Sequence, residues 1–202
     1  VIFRNSIDGW PVSKFDQIKW DEIYSRQTCL SVEPPAWLEE FRTWLIPDGL
    51  GLDIASGTGR IALWLAGFGL NVTAIDISEV ALNLASANAE KRGFTIKTMV
   101  VDLDELILPV GGFDVITCFH YWQPDLFTII YDSLRPGGIF MAEIFTEPNL
   151  ERHEHPRAQY LAETGKLKRV CDSLQTIGYE EGWLGENSLA RVVARKNKFP
   201  SD

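Results

Sequence analysis

The chain has 202 residues, 46% of them hydrophobic and 23% charged, values that fit one globular domain and exclude disordered, collagen-like and low-complexity classes. Nineteen Lys and Arg face 28 Asp and Glu, a formal charge of −9 that repels a phosphate backbone and argues against a nucleic-acid partner. No apolar run reaches the ~18 residues of a membrane helix, so no membrane partner is expected.

The N-terminus, Val1-Ile2-Phe3-Arg4-Asn5, has no basic region followed by an apolar core, so no signal peptide is expected; the absence of an initial Met leaves room for a longer gene product. Residues 20–24 and 36–46 pattern as helices, the second entered through Pro34-Pro35. Gly49-Leu50-Gly51-Leu52-Asp53-Ile54 reads as a buried first strand, followed by a helix over 60–68 that Gly69 stops. A second strand over 71–77 leads to Ser78, which caps a helix over 79–92 ended by Gly93. Strands follow over 95–101 and 113–119, then a helix that Pro124-Asp125 opens and that runs to about 134, and a fifth strand over 138–145. Residues 148–164 are polar and irregular, as functional loops often are. Leu167, Val170, Cys171, Leu174 and Ile177 form one helical stripe, with Gly178 as its stop. Strands over 179–184 and 188–195 flank Gly185-Glu186-Asn187, a turn so short that they must pair antiparallel. Strands alternating with helices imply a parallel sheet covered on both faces, finished by this hairpin. Three cysteines, Cys29, Cys118 and Cys171, have neither an even count nor paired spacing; this argues against a disulfide framework and a zinc site and fits a reducing cytoplasm.

The informative segment is Asp53-Ile54-Ala55-Ser56-Gly57-Thr58-Gly59-Arg60, between a strand and a helix. Gly57 and Gly59 permit a tight turn and close approach of a ligand, and in open α/β sheets ligands bind at the carboxyl ends of strands. Gly57-x-Gly59-x-x-Ala62 with Asp76 further on also satisfies a dinucleotide fingerprint. Against a nicotinamide cofactor stand Asp53, whose charge suits a cationic ligand and repels a pyrophosphate, and a length too short for a second catalytic domain. Asp53 and Asp102 taken singly fit surface turns, and Asp76 a helix cap; three carboxylates at successive strand tips favour a ligand site.

Leu52-Asp53-Ile54-Ala55-Ser56-Gly57-Thr58-Gly59, Val72-Thr73-Ala74-Ile75-Asp76-Ile77-Ser78, Val101-Asp102-Leu103, Phe113-Asp114-Val115-Ile116 and Leu134-Arg135-Pro136-Gly137-Gly138 occur in the order and spacing of S-adenosylmethionine-dependent methyltransferases with the Rossmann-like fold, which the chain resembles over about 20–196. Within that family it is most similar to the small tellurite-resistance and thiopurine-methyltransferase-like group, through the 20–24 element, Glu33-Pro34 and the 189–196 ending; Ser56 stands where relatives often have Cys. The resemblance implies a doubly wound α/β sheet of seven strands, mostly parallel, in the order 3-2-1-4-5-7-6. It implies one domain: a helical cap over 1–48, a cofactor core over 49–146, and an acceptor-side loop, last helix and hairpin over 147–202. It implies that Asp53 holds the methionine ammonium, that Ala55, Ser56 and Gly57 contact the methionine moiety with Gly59 beside them, and that Asp76, with Ile77, takes the ribose hydroxyls. Asp102 takes the adenine amino group, Leu103 lies near the ring, and Phe119 lines the methionine side.

Methyl transfer from a sulfonium is an in-line displacement, so it demands alignment and exclusion of water rather than a metal or a covalent intermediate. A general base helps where the acceptor is protonated. His120, just after the fourth strand, is the candidate base, with local packing as the alternative. It heads an expected acceptor pocket of His120, Tyr121, Trp122 and Phe145, closed by 148–160 as a lid and by Tyr24 from the N-terminal side. Trp20 and Tyr24 equally fit core packing. His153 and His155 in the charged loop read as solvated, with no metal site expected, and Arg152 and Arg157 as either anion contacts or surface charge. The expected function is methyl transfer to a small-molecule acceptor, including a soft sulfur or metalloid nucleophile. The alternatives are a catalytically silent S-adenosylmethionine-binding protein and an NAD-binding oxidoreductase.

Overall fold

A computed structural model describes residues 12–26 and 33–198; the N-terminal motif and Cys29 lie outside the described residues. Its strands are β1 (Leu50–Ile54), β2 (Asn71–Asp76), β3 (Lys97–Val100), β4 (Phe113–Phe119), β5 (Leu134–Phe145), β6 (Gln175–Leu184) and β7 (Asn187–Arg195). They form one sheet in the expected order, β3-β2-β1-β4-β5-β7-β6. The first five pair parallel, and β7 runs antiparallel between β5 and β6. The helices are α1 (Val12–Arg26), α2 (Arg60–Gly67), α3 (Glu79–Lys91), α4 (Leu126–Ser133) and the five-residue α5 (Lys166–Val170).

Both faces of the sheet are covered, so the central strands are apolar on both sides, as parallel strands must be. In β5, Phe140, Ala142 and Ile144 pack with Phe127 of α4 and Leu167 of α5, while Ile139 and Met141 pack with Leu38 and Ala62 on the opposite face. Glu143 is the one charged residue in this buried run, a point that matters below. Ser78 caps α3 as expected, its hydroxyl accepting from Ala81 N at 3.1 Å.

The structure corrects three local expectations. Residues 36–46 form a 3-10 stretch, Ala36–Trp44, rather than an α-helix. The helix expected over 167–177 ends at Val170, and Gln175 already belongs to β6. Leu167, Cys171 and Leu174 do bury on one face, which is what their helical spacing registers. Ile177 instead packs on the other face of the sheet, because Gln175 and Thr176 gain ladder partners in Arg195 and Ala194. Gly178 is therefore not a helix stop; it sits beside a register shift in β6, where a Cβ would come within 2.6 Å of the Phe41 ring.

The third correction concerns 148–164, expected as a lid. Its first half is fastened to the β6–β7 hairpin. Fully buried Asn149 accepts from Ser188 N at 3.1 Å and donates to the His155 carbonyl at 3.2 Å. The Thr146 and Ser188 hydroxyls meet at 2.6 Å, His153 Nε2 lies 2.8 Å from the Glu186 carbonyl, and the Arg152 guanidinium stacks 3.7 Å over Trp183. Farther on, Tyr160 meets α1, with Lys19 Nζ 5.3 Å from its ring and 5.2 Å from that of Trp20. Among the described residues no helix is long and apolar enough to cross a membrane.

Asn149→Ala would strand the buried Ser188 N–H, at about 1–3 kcal/mol for an unsatisfied group, and would lose the bond to the His155 carbonyl. Urea denaturation is expected to show a loss of at least about 1 kcal/mol. An unchanged midpoint and slope would show that the loop is not fastened there.

Candidate functional site

The carboxyl ends of β1, β2 and β4 lie side by side, and the loop after β1 passes between them. Ala55 and Gly57 both have φ of 53°, the left-handed region that a non-glycine residue such as Ala55 rarely adopts without a functional reason. The loop is held from outside: Ser56 N donates to the Ile75 carbonyl at 3.0 Å, and Gly57 N donates to Asp76 Oδ2 at 2.8 Å.

Asp53 and Asp76 flank this loop, and both are buried. Asp53 Oδ2 accepts from Ala62 N at 3.0 Å, near the start of α2, and Oδ1 accepts from Thr117 Oγ1 at 2.7 Å. Asp76 Oδ1 accepts from Ser78 N at 2.9 Å, so Asp76 does shape the turn into α3. Neither carboxylate has an ion-pair partner among the described residues. Burial consequently pushes the Asp53 carboxyl up to about 7, and burial raises that of Asp76 as well. In the same loop Ser56 Oγ is buried without a hydrogen-bond partner among the described residues. Two buried carboxyls without a cation, beside a loop that carries a stranded hydroxyl, fit a ligand with positive charge and hydroxyl donors.

The other residues expected around a cofactor divide. Gly59 serves packing: it precedes α2 in the left-handed region, and a Cβ there would stand 2.9 Å from Ala85 Cβ of α3. Asp102 caps the short 3-10 turn Leu103–Glu105 through Asp104 N at 3.0 Å, and Leu103 is buried in the core. Ile77 is half-buried just beyond β2. Phe119 is buried and stacks on Trp37, ring centroids 5.9 Å apart.

The acceptor residues divide too. Tyr24 stands at the glycine loop, its hydroxyl 2.8 Å from the point where a Gly57 Cβ would be. Burial, with Asp76 nearby, pushes that hydroxyl up to about 12. Asp21, one turn earlier on α1, fixes this placement by accepting from Ser78 Oγ at 2.6 Å and Val80 N at 3.2 Å. Tyr121 and Trp122 pack toward the α4 face, where Trp122 lies 5.6 Å from Phe127 and the Tyr121 hydroxyl donates to Gln123 at 2.6 Å. His120 and Phe145 do come together, ring centroids 4.8 Å apart.

They meet in a polar group that sequence reasoning missed. Glu143, about 4% exposed, accepts from His120 Nε2 at 2.9 Å on Oε1. Its Oε2 accepts from Arg191 Nε at 2.7 Å and from Trp37 Nε1 at 2.9 Å. The Arg191 guanidinium also lies 5.3 Å from the Trp37 ring centroid and reaches Glu180 at 3.3 Å. Although burial opposes the charge, the His120 and Arg191 bonds prevail and hold the Glu143 carboxyl down to about 2. A signal existed: one carboxylate in the apolar β5 run and an arginine in the middle of the apolar β7 run, in register as Glu143↔Arg191.

Residues 52–138 match the family model described as a methyltransferase domain. A ubiquinone biosynthesis O-methyltransferase from Acinetobacter baylyi is 27% identical over 156 residues, 71% of this chain. The chain spans 65% of that relative's length, just under two thirds. Among solved structures, one described as "Conversion of a Disulfide Bond into a Thioacetal Group during Echinomycin Biosynthesis" superposes with a TM-score of 0.71 at 18% identity, covering 92% of this chain and 94% of the other. TehB from Haemophilus influenzae gives 0.66 at 18% identity, with 88% and 67% covered. The Rossmann-like methyltransferase fold expected from the motifs is the fold of this chain.

The raised carboxyl of Asp53 has a direct consequence. From about pH 4 to 7 the folded chain keeps a proton that the unfolded chain releases, so this stabilisation is complete at low pH and is lost as pH rises through 7. Asp53→Asn removes the buried charge and is expected to raise the melting temperature of the free protein more at pH 8 than at pH 4. An equal shift at both values would show that Asp53 is not held protonated by burial.

Proposed function

We propose that this chain, whose residues 52–138 form a methyltransferase domain, catalyses in-line methyl transfer from S-adenosylmethionine to a small-molecule acceptor. The observation that supports this most is the glycine loop, which carries the stranded Ser56 hydroxyl, with buried Asp53 and Asp76 that have no cation beside them among the described residues. Asp53 would hold the ammonium of the methionine moiety, and Asp76, pinned by the Gly57 and Ser78 amides, would accept from the ribose hydroxyls. Asp102 would accept from the adenine amino group, and Ala55, Ser56 and Gly57 would present backbone to the methionine moiety. The same carboxylates would repel a pyrophosphate, which speaks against a nicotinamide dinucleotide. When bound, the cofactor supplies a methyl group on a sulfonium, already activated for transfer.

The chain's own task is alignment, which alone can lower a barrier by ~7–11 kcal/mol. Ile54 of β1 pairs with Cys118 of β4, so the glycine loop and His120 emerge next to each other at one sheet edge. Aromatic rings of Phe119, Trp37 and Phe145 gather at that edge, and ring faces attract a sulfonium. An organic acceptor of modest size suits this setting, and the Acinetobacter baylyi relative is itself described as an O-methyltransferase. Cys118 and Cys171 are free, buried thiols, in keeping with a cytoplasmic setting.

Isothermal calorimetry with S-adenosylmethionine, S-adenosylhomocysteine and NAD tests the cofactor directly. Heat is expected from the first two alone. Asp76→Ala removes a carboxylate worth ~1.5–3 kcal/mol per charge-assisted bond, so the dissociation constant should rise tenfold or more. Heat with NAD alone, or an unchanged constant for the variant, would contradict the proposal.

A further inference from the structure

We propose that Glu143 is a positioning residue that holds the His120 ring with Nε2 as its donor and Nδ1 free as a proton acceptor, and that the acceptor is therefore a neutral hydroxyl on a planar ring. The inference rests on the methyl-transfer reading above and assigns its proton-handling groups and substrate class.

The geometry leaves little choice. An ionised carboxylate only accepts hydrogen bonds, so the 2.9 Å contact between His120 Nε2 and Glu143 Oε1 places a proton on Nε2. The lone pair of a neutral imidazole then sits on Nδ1. Glu143 cannot turn away, because Trp37 Nε1 and Arg191 Nε hold its other oxygen at 2.9 and 2.7 Å. The His120 backbone is held as well: its N–H donates to the Glu143 carbonyl at 2.7 Å, and its φ is 57°. A left-handed histidine bound to one strand through both backbone and ring is oriented far beyond what packing requires. Its side chain nevertheless remains 38% exposed, open to a ligand, while Glu143 beneath it is buried.

The acceptor class follows from charge and shape. A positioned base is useful only to an acceptor that still carries its proton. The nearby guanidinium, Arg191, is committed to Glu143 and Glu180 and is not free to hold an oxyanion. A preformed anion would instead face the Glu143 charge. The Phe145 ring beside His120 and the stacked Trp37 and Phe119 rings suit a flat aromatic body. In the proton step the acceptor O–H bond breaks, its electron pair stays on oxygen, and the proton goes to Nδ1. The resulting imidazolium is stabilised by Glu143, and the oxygen is left as the nucleophile.

Two measurements test this. Nitrogen-15 spectra of the histidine rings, with His120 assigned by its loss in His120→Gln, report the tautomer without turnover or cofactor. In the wild type at pH 8 the proton is expected on Nε2. Glu143→Gln has a single acceptor oxygen; with that oxygen kept by Arg191 and Trp37, its amide NH2 faces His120, so the proton should move to Nδ1, and Glu143→Ala should give a mixture. Should Glu143→Ala fail to fold, the wild type and Glu143→Gln decide: a proton on Nδ1 in the wild type, or one that stays on Nε2 in Glu143→Gln, overturns the proposal, as does an unchanged tautomer in a folded Glu143→Ala. The second measurement compares wild type and His120→Ala on phenols protonated at assay pH and on nitrophenols already ionised there. His120→Ala should lower kcat by roughly 10²–10⁴-fold on the former, with KM little changed, and far less on the latter. Equal loss on both series, or transfer to thiols and anions but to no phenol, overturns the acceptor assignment. Absence of S-adenosylhomocysteine binding would instead strike the methyl-transfer reading.

Discussion

Burying a carboxylate inside a seven-stranded sheet is the constraint around which one end of this molecule is organised. An isolated ionised group in an apolar interior costs many kcal/mol, so Glu143 persists there with both of its oxygens engaged. The partners come from three separate regions: Trp37 from the 3-10 stretch before the sheet, His120 from the end of β4, and Arg191 from β7. Satisfying one charge therefore fixes how the N-terminal segment, the central strands and the C-terminal hairpin meet. It also leaves His120 oriented and partly exposed at the edge where the glycine loop emerges.

The other end of the site follows the opposite principle. Asp53 and Asp76 are buried with backbone and hydroxyl donors but no cation, and burial raises both carboxyls. That is a costly state for the free protein and a favourable one for binding a cationic ligand, which supplies the missing charge. One edge thus carries a compensated carboxylate bonded to the His120 ring and two carboxyls without a cation among the described residues. α1 ties the parts together: Asp21 anchors it to the start of α3, and Tyr24 covers Gly57.

Much of this was legible in the sequence because it is local. The strands, the glycine loop and the Ser78 cap follow from periodicity and turn residues spaced a few positions apart, whereas the strand order comes from the resemblance that the five motifs carry. The failures came where local pattern and distant pairing disagreed. The stripe of Leu167, Cys171 and Leu174 is real, but Ile177 belongs to a strand because β7 is there to pair with it. Residues 148–160 read as an irregular lid because Asn149 discloses nothing of its two bonds to chain elsewhere. Tyr121 and Trp122 follow His120 in sequence yet face α4, since the chain turns at a left-handed residue that periodicity does not register. Glu143 and Arg191 were visible as single charges in apolar strands, but their meaning depends on register, which only the assembled sheet supplies.

On the proposed function the two kinds of carboxylate serve one reaction centre: Asp53 and Asp76 would hold the cofactor, and Glu143 would aim His120 at the point of transfer. A crystal structure with bound S-adenosylhomocysteine measures this most directly. The account predicts the ribose hydroxyls on Asp76, the methionine ammonium toward Asp53, and the sulfur facing an open space bounded by His120 and Phe145. A ligand seated with its sulfur against a sealed core, or with His120 turned away from it, would contradict the account.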